Sequence, residues 1–218
     1  MEEKKKLSFT NKMLRKLGYN YSEEEYGDVT IWKVAGKFLG NIRLKHLEKK
    51  MDWAILEPFA PRKLRPKLMR KMGCKVGKEC FIGDYVRMDT SHADMITIED
   101  HVSIASGTRL LCHQRDFSNY CMGDDYMDLG YTIKPIVLKK GCLIGMESMV
   151  LPGVTVGEGA IIGAGSLVTR DIPAWTIASG RPARVVKQIP KRTDNQDVTG
   201  GGGGKRVVIL LGVRKLAA

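Results

Sequence analysis

The sequence predicts a mainly β fold, a coil of short parallel strands stacked into a prism, and three observations carry that prediction. An aliphatic residue returns at every sixth position over 138–168, at Leu138, Ile144, Val150, Val156, Ile162 and Val168. A small or compact residue follows each of the first five by four places, at Cys142, Ser148, Val154, Ala160 and Ser166. Gly145, Gly157 and Gly163 each directly follow an aliphatic position. Helices repeat at about 3.6 residues and ordinary strands at 2, so a period of six suits neither. It suits a solenoid in which each hexad makes one face, the aliphatic side chain fills the interior and the small residue sits at a tight corner. The period gives a solenoid without its handedness.

Taken in order, residues 1–75 read as helical and irregular. Apolar spacing recurs in Ile31, Val34, Phe38, Ile42 and Leu47 and again in Leu64, Leu68 and Met72, with Pro58, Pro61 and Pro66 between. The end strands of a repeat stack must be covered, so this segment is expected to cap the mouth of the coil and to face an acceptor or a membrane. It also holds much of the net charge of +12, since residues 33–75 carry thirteen Lys or Arg against Glu48, Asp52 and Glu57, a local +10. Such a stripe serves an anionic substrate, an anionic membrane surface or plain solvation. No nucleic-acid-binding module is present in the pattern, so no nucleic-acid partner is expected.

The coil is expected over 76–190. Val76, Ile82 and Met88 share one phase, with Cys80 and Val86 at the small positions. The phase slips between Met88 and Ile98, where 89–97 carries four residues beyond a hexad and must bulge. It resumes at Ile98, Ile104 and Leu110, with Val102 and Thr108 at the small positions, and slips again before Leu138. The intervening HQRDFSNYCMGDDYMDLGY of 113–131 carries no repeat and is too polar for an idle connection, so 113–134 is predicted to be a protruding functional loop. From 191 the chain reads as a linker with five glycines at 200–204 and a basic apolar appendage to 218, a tail for which native and non-native origins both stand.

A chain of 218 residues with 43% hydrophobic content can bury a core without disulfides or a metal. Five cysteines make an odd number, and Cys80 and Cys142 fall on inward positions. The opening MEEKKKLSFTNKML carries charges where a secretory signal would need an apolar run, so a reduced cytoplasmic setting is expected, at the inner membrane surface if the basic segment touches lipid. No run approaches the roughly 20 apolar residues of a membrane span.

The stretch IGMESMVLPGVTVGEGAIIGAGSLVTRDIPAWTIASGRPAR at 144–184 resembles the hexapeptide-repeat acyltransferases, and particularly their sugar and polysaccharide O-acetyltransferase branch. The similarity covers about 76–189. It implies a left-handed parallel β-helix, acetyl-CoA as donor, a carbohydrate acceptor, a homotrimer with the donor groove between coils, and no metal. It also implies His113, in the context CHQRD at 112–116, as general base. The donor site implied by resemblance comprises Ala164 and Gly165 with Thr169 and Arg170 along the pantetheine arm, and Arg184 and Lys187, assisted by Arg181, at the CoA phosphates. Asp89, at the first slip, matches a position that holds the acceptor hydroxyl; Asp116 is a candidate to orient the imidazole, and Asn119 and Tyr120 are candidate acceptor contacts.

The chemistry accounts for a histidine. A sugar hydroxyl is a poor nucleophile at neutral pH, and an imidazole, with an ordinary pKa near 6.5, can take its proton during attack on a thioester. The oxyanion needs donors, for which backbone N–H groups at Gly145 or Met146 are candidates. Cys112 beside His113 suggests a thiolate, but neighbours on a strand point to opposite faces. Three further readings stand beside O-acetylation: an N-acetyltransferase acting on an amino sugar, a zinc enzyme using His92, His101 and His113, and a non-catalytic scaffold.

Overall fold

The structure, a computed structural model, describes residues 12, 13, 16, 30–52 and 60–191. The tail and most of the first thirty residues lie outside the described residues. The chain divides into two units, Met1–Lys49 and Lys50–Ala218. Helix α1 (Ile31–Met51) accounts for most of what is described of the first. Its spaced apolar residues do not form a buried stripe: Phe38 and Ile42 are exposed, as are Trp32 and Leu39, and Leu47 is buried.

The second unit is built from strands of two or three residues arranged in turns. The first turn holds β1 (Lys75–Val76), β2 (Phe81–Ile82) and β3 (Arg87–Met88), and the second β4 (Ile96–Ile98), β5 (Ser103–Ile104) and β6 (Arg109–Leu110). A side hairpin, β7 (His113–Arg115) and β8 (Tyr131–Ile133), follows. Then come β9 (Ile136–Leu138), β10 (Leu143–Ile144) and β11 (Met149–Val150), and β12 (Thr155–Val156), β13 (Ile161–Ile162) and β14 (Leu167–Val168). A pair, β15 (Thr176–Gly180) and β16 (Ala183–Gln188), ends the coil.

Strands stack in parallel into three faces, β1-β4-β9-β12, β2-β5-β10-β13-β15 and β3-β6-β11-β14, with β16 antiparallel on β15. Leu138 lies opposite Val156 and Ile144 opposite Ile162, so three hexads make one turn. The six repeat aliphatics of 138–168 are fully buried, and their small partners are nearly so. Each such side chain contributes about 1.5–3 kcal/mol by leaving water. Hydroxyls at the small positions are satisfied by corner carbonyls: Ser166 Oγ donates to Gly163 O at 2.6 Å and Thr108 Oγ1 to Ala105 O at 2.8 Å. A Cβ at Gly145 would stand 2.5 Å from the Ala164 backbone nitrogen, which is why that corner takes no side chain.

Both predicted interruptions are structured. The first is a tight 3-10 segment (Thr90–Met95), started by the Asp89 carboxylate accepting from the Ser91 N–H at 3.2 Å. The second is the hairpin, whose arms pair His113 with Ile133 and Arg115 with Tyr131. The Lys134 N–H closes its base on Cys112 O at 2.9 Å.

Helix α2 (Arg65–Met72) packs on β1 and β2 with Leu68, Met69 and Met72 buried. Two cations of the basic stripe work inside this packing. Buried Arg65 donates to Met51 O at 2.7 Å and Ile82 O at 3.3 Å, and Arg70 donates to Val76 O at 2.8 Å and to Gly77 O. Part of the stripe's charge therefore satisfies carbonyls at the start of the coil.

Candidate active site

Parallel stacking turns the end of each face into a column. Met88, Leu110, Val150 and Val168 are register partners, so the residues after them, Asp89, Leu111, Leu151 and Thr169, share one edge of the prism. The backbone continues it: Asp89 N–H donates to Leu110 O at 2.9 Å and Leu151 N–H to Val168 O at 3.0 Å. The hairpin leaves from this edge with His113 as its first residue.

Here the coil brings together residues 24 positions apart in sequence. His113 Nδ1 is hydrogen-bonded to Asp89 Oδ2, and His92 Nδ1 lies 3.1 Å from the same oxygen. The Asp89 side chain is 3% exposed, while those of His92 and His113 are 27% and 40% exposed. Burial pushes the Asp89 carboxyl up, but the hydrogen bonds and charges of His113 and His92 outweigh it and hold the group below the ordinary carboxylate range. The two imidazole centroids are 5.3 Å apart, and the Tyr131 ring meets His113 edge-on at 5.5 Å. Arg115 stacks over Tyr131 at 4.3 Å, tying the arm's two strands together beside the imidazole.

This geometry bears on two expected roles. Asp89, expected at the acceptor, is buried, with Oδ2 taking both imidazoles and Oδ1 taking the Ser91 N–H. Asp116 does not orient the imidazole, because its carboxylate accepts from the Ser118 hydroxyl and N–H, which hold it below the ordinary range. His92, unassigned from sequence except as a zinc ligand, is the third member of the cluster. A signal for it existed in the four-residue slip, since 92 falls among the extra residues that follow Asp89.

Other positions separate. Asn119 and exposed Tyr120 lie out along the arm, where Tyr120 meets Phe117 ring to ring at 6.1 Å. His101 turns to Glu79, Nδ1 to Oε2 at 3.3 Å, so the three histidines of the zinc reading do not converge. Cys112 is fully buried, and burial first, then the Asp89 charge, pushes its thiol up to about 11, which removes the thiolate reading.

The expected donor residues fall on two edges. Thr169 and Arg170 follow β14 on the edge that carries Asp89 and His113. Gly145 and Met146 lie beside Gly163, Ala164 and Gly165 on the next edge, after the Ile144–Ile162 column. Gly145 cannot supply an oxyanion donor as expected, because its N–H is spent on Ile162 O at 2.9 Å; the Gly165 N–H is likewise spent on Met146 O at 2.7 Å. The Met146 and Ala164 side chains are exposed there. Arg184 and Lys187 are exposed on β16, opposite Ser179 and Ile177. A groove lined by Trp175, Gln188, Ile189, Pro190 and Lys191 lies at that end of the coil and does not include His113.

Comparison with known proteins agrees with this architecture. Residues 135–170 match the bacterial transferase hexapeptide (six repeats) family. A 2,3,4,5-tetrahydropyridine-2,6-dicarboxylate N-acetyltransferase of Staphylococcus aureus is 44% identical over 62 residues, 28% of this chain and 26% of that protein. The chain spans less than half the length of the curated relatives it matches. Among solved structures, a maltose O-acetyltransferase from Clostridium difficile superposes with a TM-score of 0.54 at 23% identity, covering 68% of this chain and 86% of that one. A hexapeptide-repeat acetyltransferase of Vibrio cholerae, crystallised with acetyl coenzyme A, gives 0.55 at 20% identity over 85% of this chain and all of that one. The match supplies the left hand that the period alone lacks. Residues 135–170 carry the bacterial transferase hexapeptide repeat, and the coil built on them has the fold of the hexapeptide-repeat acetyltransferases.

Proposed function

We propose that the protein transfers an acetyl group from acetyl-CoA to a hydroxyl of a sugar or of a cell-surface polysaccharide precursor. The observation that carries this reading is the partly exposed His113 imidazole bonded through Nδ1 to the buried Asp89 carboxylate. With the hydrogen on Nδ1 held by Asp89, Nε2 keeps its lone pair and takes the acceptor's proton. The acceptor oxygen bonds to the thioester carbon, the tetrahedral intermediate collapses with loss of the C–S bond, and the imidazolium returns the proton to the CoA sulfur. No acyl-enzyme forms.

The split of donor residues between two prism edges favours a homotrimer, in which a groove between neighbouring coils takes one edge from each. Thr169 and Arg170 would border His113, Met146, Ala164 and Gly165 would come from the facing edge, and exposed Arg184, Lys187 and Arg181 would meet the CoA phosphates. The arm, with Asn119 and Tyr120, would face the acceptor. The sugar acceptor is favoured by the superposition on a maltose O-acetyltransferase. Acetylation of an amino group is the second reading, favoured by the N-acetyltransferase relative. It uses the same base.

The test is CoA-thiol release by the purified protein against sugars, nucleotide sugars, amino sugars and lipid-linked glycans. Release dependent on a hydroxyl acceptor is expected. Release with amino sugars alone favours the second reading, and no release with any acceptor contradicts acetyl transfer.

A further inference from the structure

A base oriented by one carboxylate needs one imidazole, yet two imidazoles share Asp89 Oδ2. One carboxylate oxygen and one ring nitrogen from each of His92 and His113 lie within 4.8 Å of one another. Two imidazoles and a carboxylate form a donor set suited to borderline divalent metals. Zinc bonds of about 2.0–2.2 Å place tetrahedral donors roughly 3.3 Å apart, close to the 3.1 Å between His92 Nδ1 and Asp89 Oδ2. The buried carboxylate lies beside two partly exposed rings, so the cluster is in contact with solvent through the imidazoles. Arg115, in the arm, is spent on Tyr131 and on the Met127 and Leu129 carbonyls. Cys112 is fully buried and lies outside the donor set.

We propose that Asp89, His92 and His113 form a binding site for a zinc-class divalent ion, and that the ion switches the enzyme off. The ion takes Nδ1 of His113, so the ring's one hydrogen moves to Nε2 by exchange with solvent. Nε2 then has no lone pair for an acceptor hydroxyl, and metal binding and base catalysis exclude each other. Binding stands on the cluster alone, whereas the inhibition rests on the base role proposed above.

Cobalt(II), a visible-absorbing stand-in for zinc, is titrated into the full chain, with circular dichroism and thermal melting to confirm the fold of each variant. The expected result is d–d absorption saturating near one equivalent, bleached by zinc and by chelator, with affinity lowered at least tenfold in His92→Gln and in His113→Gln. Zinc should abolish CoA release by the wild type, and chelator should restore it. Absence of saturable cobalt absorption in the folded wild type, or equal affinity in both folded variants, overturns the site. If cobalt binds as described while no acceptor releases CoA, the acetyl-transfer reading fails and the metal site stands. If His92→Gln does not fold, His113→Gln decides, because its ring is the more exposed member and anchors the arm only at its first residue.

Discussion

The regular half of the coil, 136–168, and its interrupted half, 76–134, are built from the same hexad and do different things. In the regular half each side chain at a repeat position is spent on the interior and each corner hydroxyl on a carbonyl. In the interrupted half the same interior is kept by Ile82, Met88, Ile98, Ile104 and Leu110, while the extra residues carry His92, His113 and the arm. Inward positions admit only apolar or small groups, so reactive side chains enter a solenoid where its count is broken. Asp89 is the hinge between the two roles: its N–H bonds to Leu110 O as any corner residue would, and its carboxylate serves the two rings.

That contrast can be broken first in the regular half. Gly145→Ala places a Cβ 2.5 Å from the Ala164 nitrogen, backbone that cannot step aside, and should destabilise by on the order of 3 kcal/mol or more. Ile162→Ala opens a cavity in the fully buried interior and should cost about 2–5 kcal/mol. Chemical denaturation measures both. The pH profile of turnover should stay where it is in Ile162→Ala, whose effect is on folding.

Asp89→Asn tests the interrupted half. An amide can present a hydrogen where the imidazole needs an acceptor, so turnover should fall by between about 10- and 10⁴-fold, with the rate's pH profile displaced from that of the wild type. Asp89 also contributes to acid stability. Its folded pKa lies below the ordinary carboxyl value near 3.9, so its stabilisation is complete above that value and is lost as pH falls through the lower folded one. The gap in melting temperature between wild type and Asp89→Asn should be wide at pH 5 and narrow toward pH 3. A gap independent of pH would count against the carboxylate's pairing.

The smallest effect concerns the thiols. Cys74, Cys80, Cys112 and Cys142 are buried and Cys121, on the arm, is exposed. Burial pushes Cys74 and Cys142 up to about 12. A disulfide reagent should therefore modify one thiol rapidly in the native protein and all five after unfolding; fast modification of a second would mean the interior opens.

Much of the coil was readable in the chain because hexad and burial are the same fact: the aliphatics at 138–168 repeat because they face inward. Both slips were readable for the same reason, as a count that fails. The pairing of Asp89 with His113 was not, because it depends on the length of one turn plus the four residues of the slip, which puts Met88 under Leu110. Residue types alone suggested Asp116, the nearer acid in sequence, and local Ser118 had already claimed it. Nor could spacing reveal that Arg65 and Arg70 answer carbonyls of the first turn, since a basic stripe looks the same whether it faces water or backbone. The spent N–H of Gly145 was equally hidden until the next turn was stacked on it.

The most direct test of the account sets turnover against donor affinity in His113→Ala. Acetyl-CoA binding, read by calorimetry, should remain within a few-fold of the wild type, while CoA release with the best acceptor falls by about 10²–10⁴. Turnover at the wild-type level in a folded His113→Ala protein would contradict it.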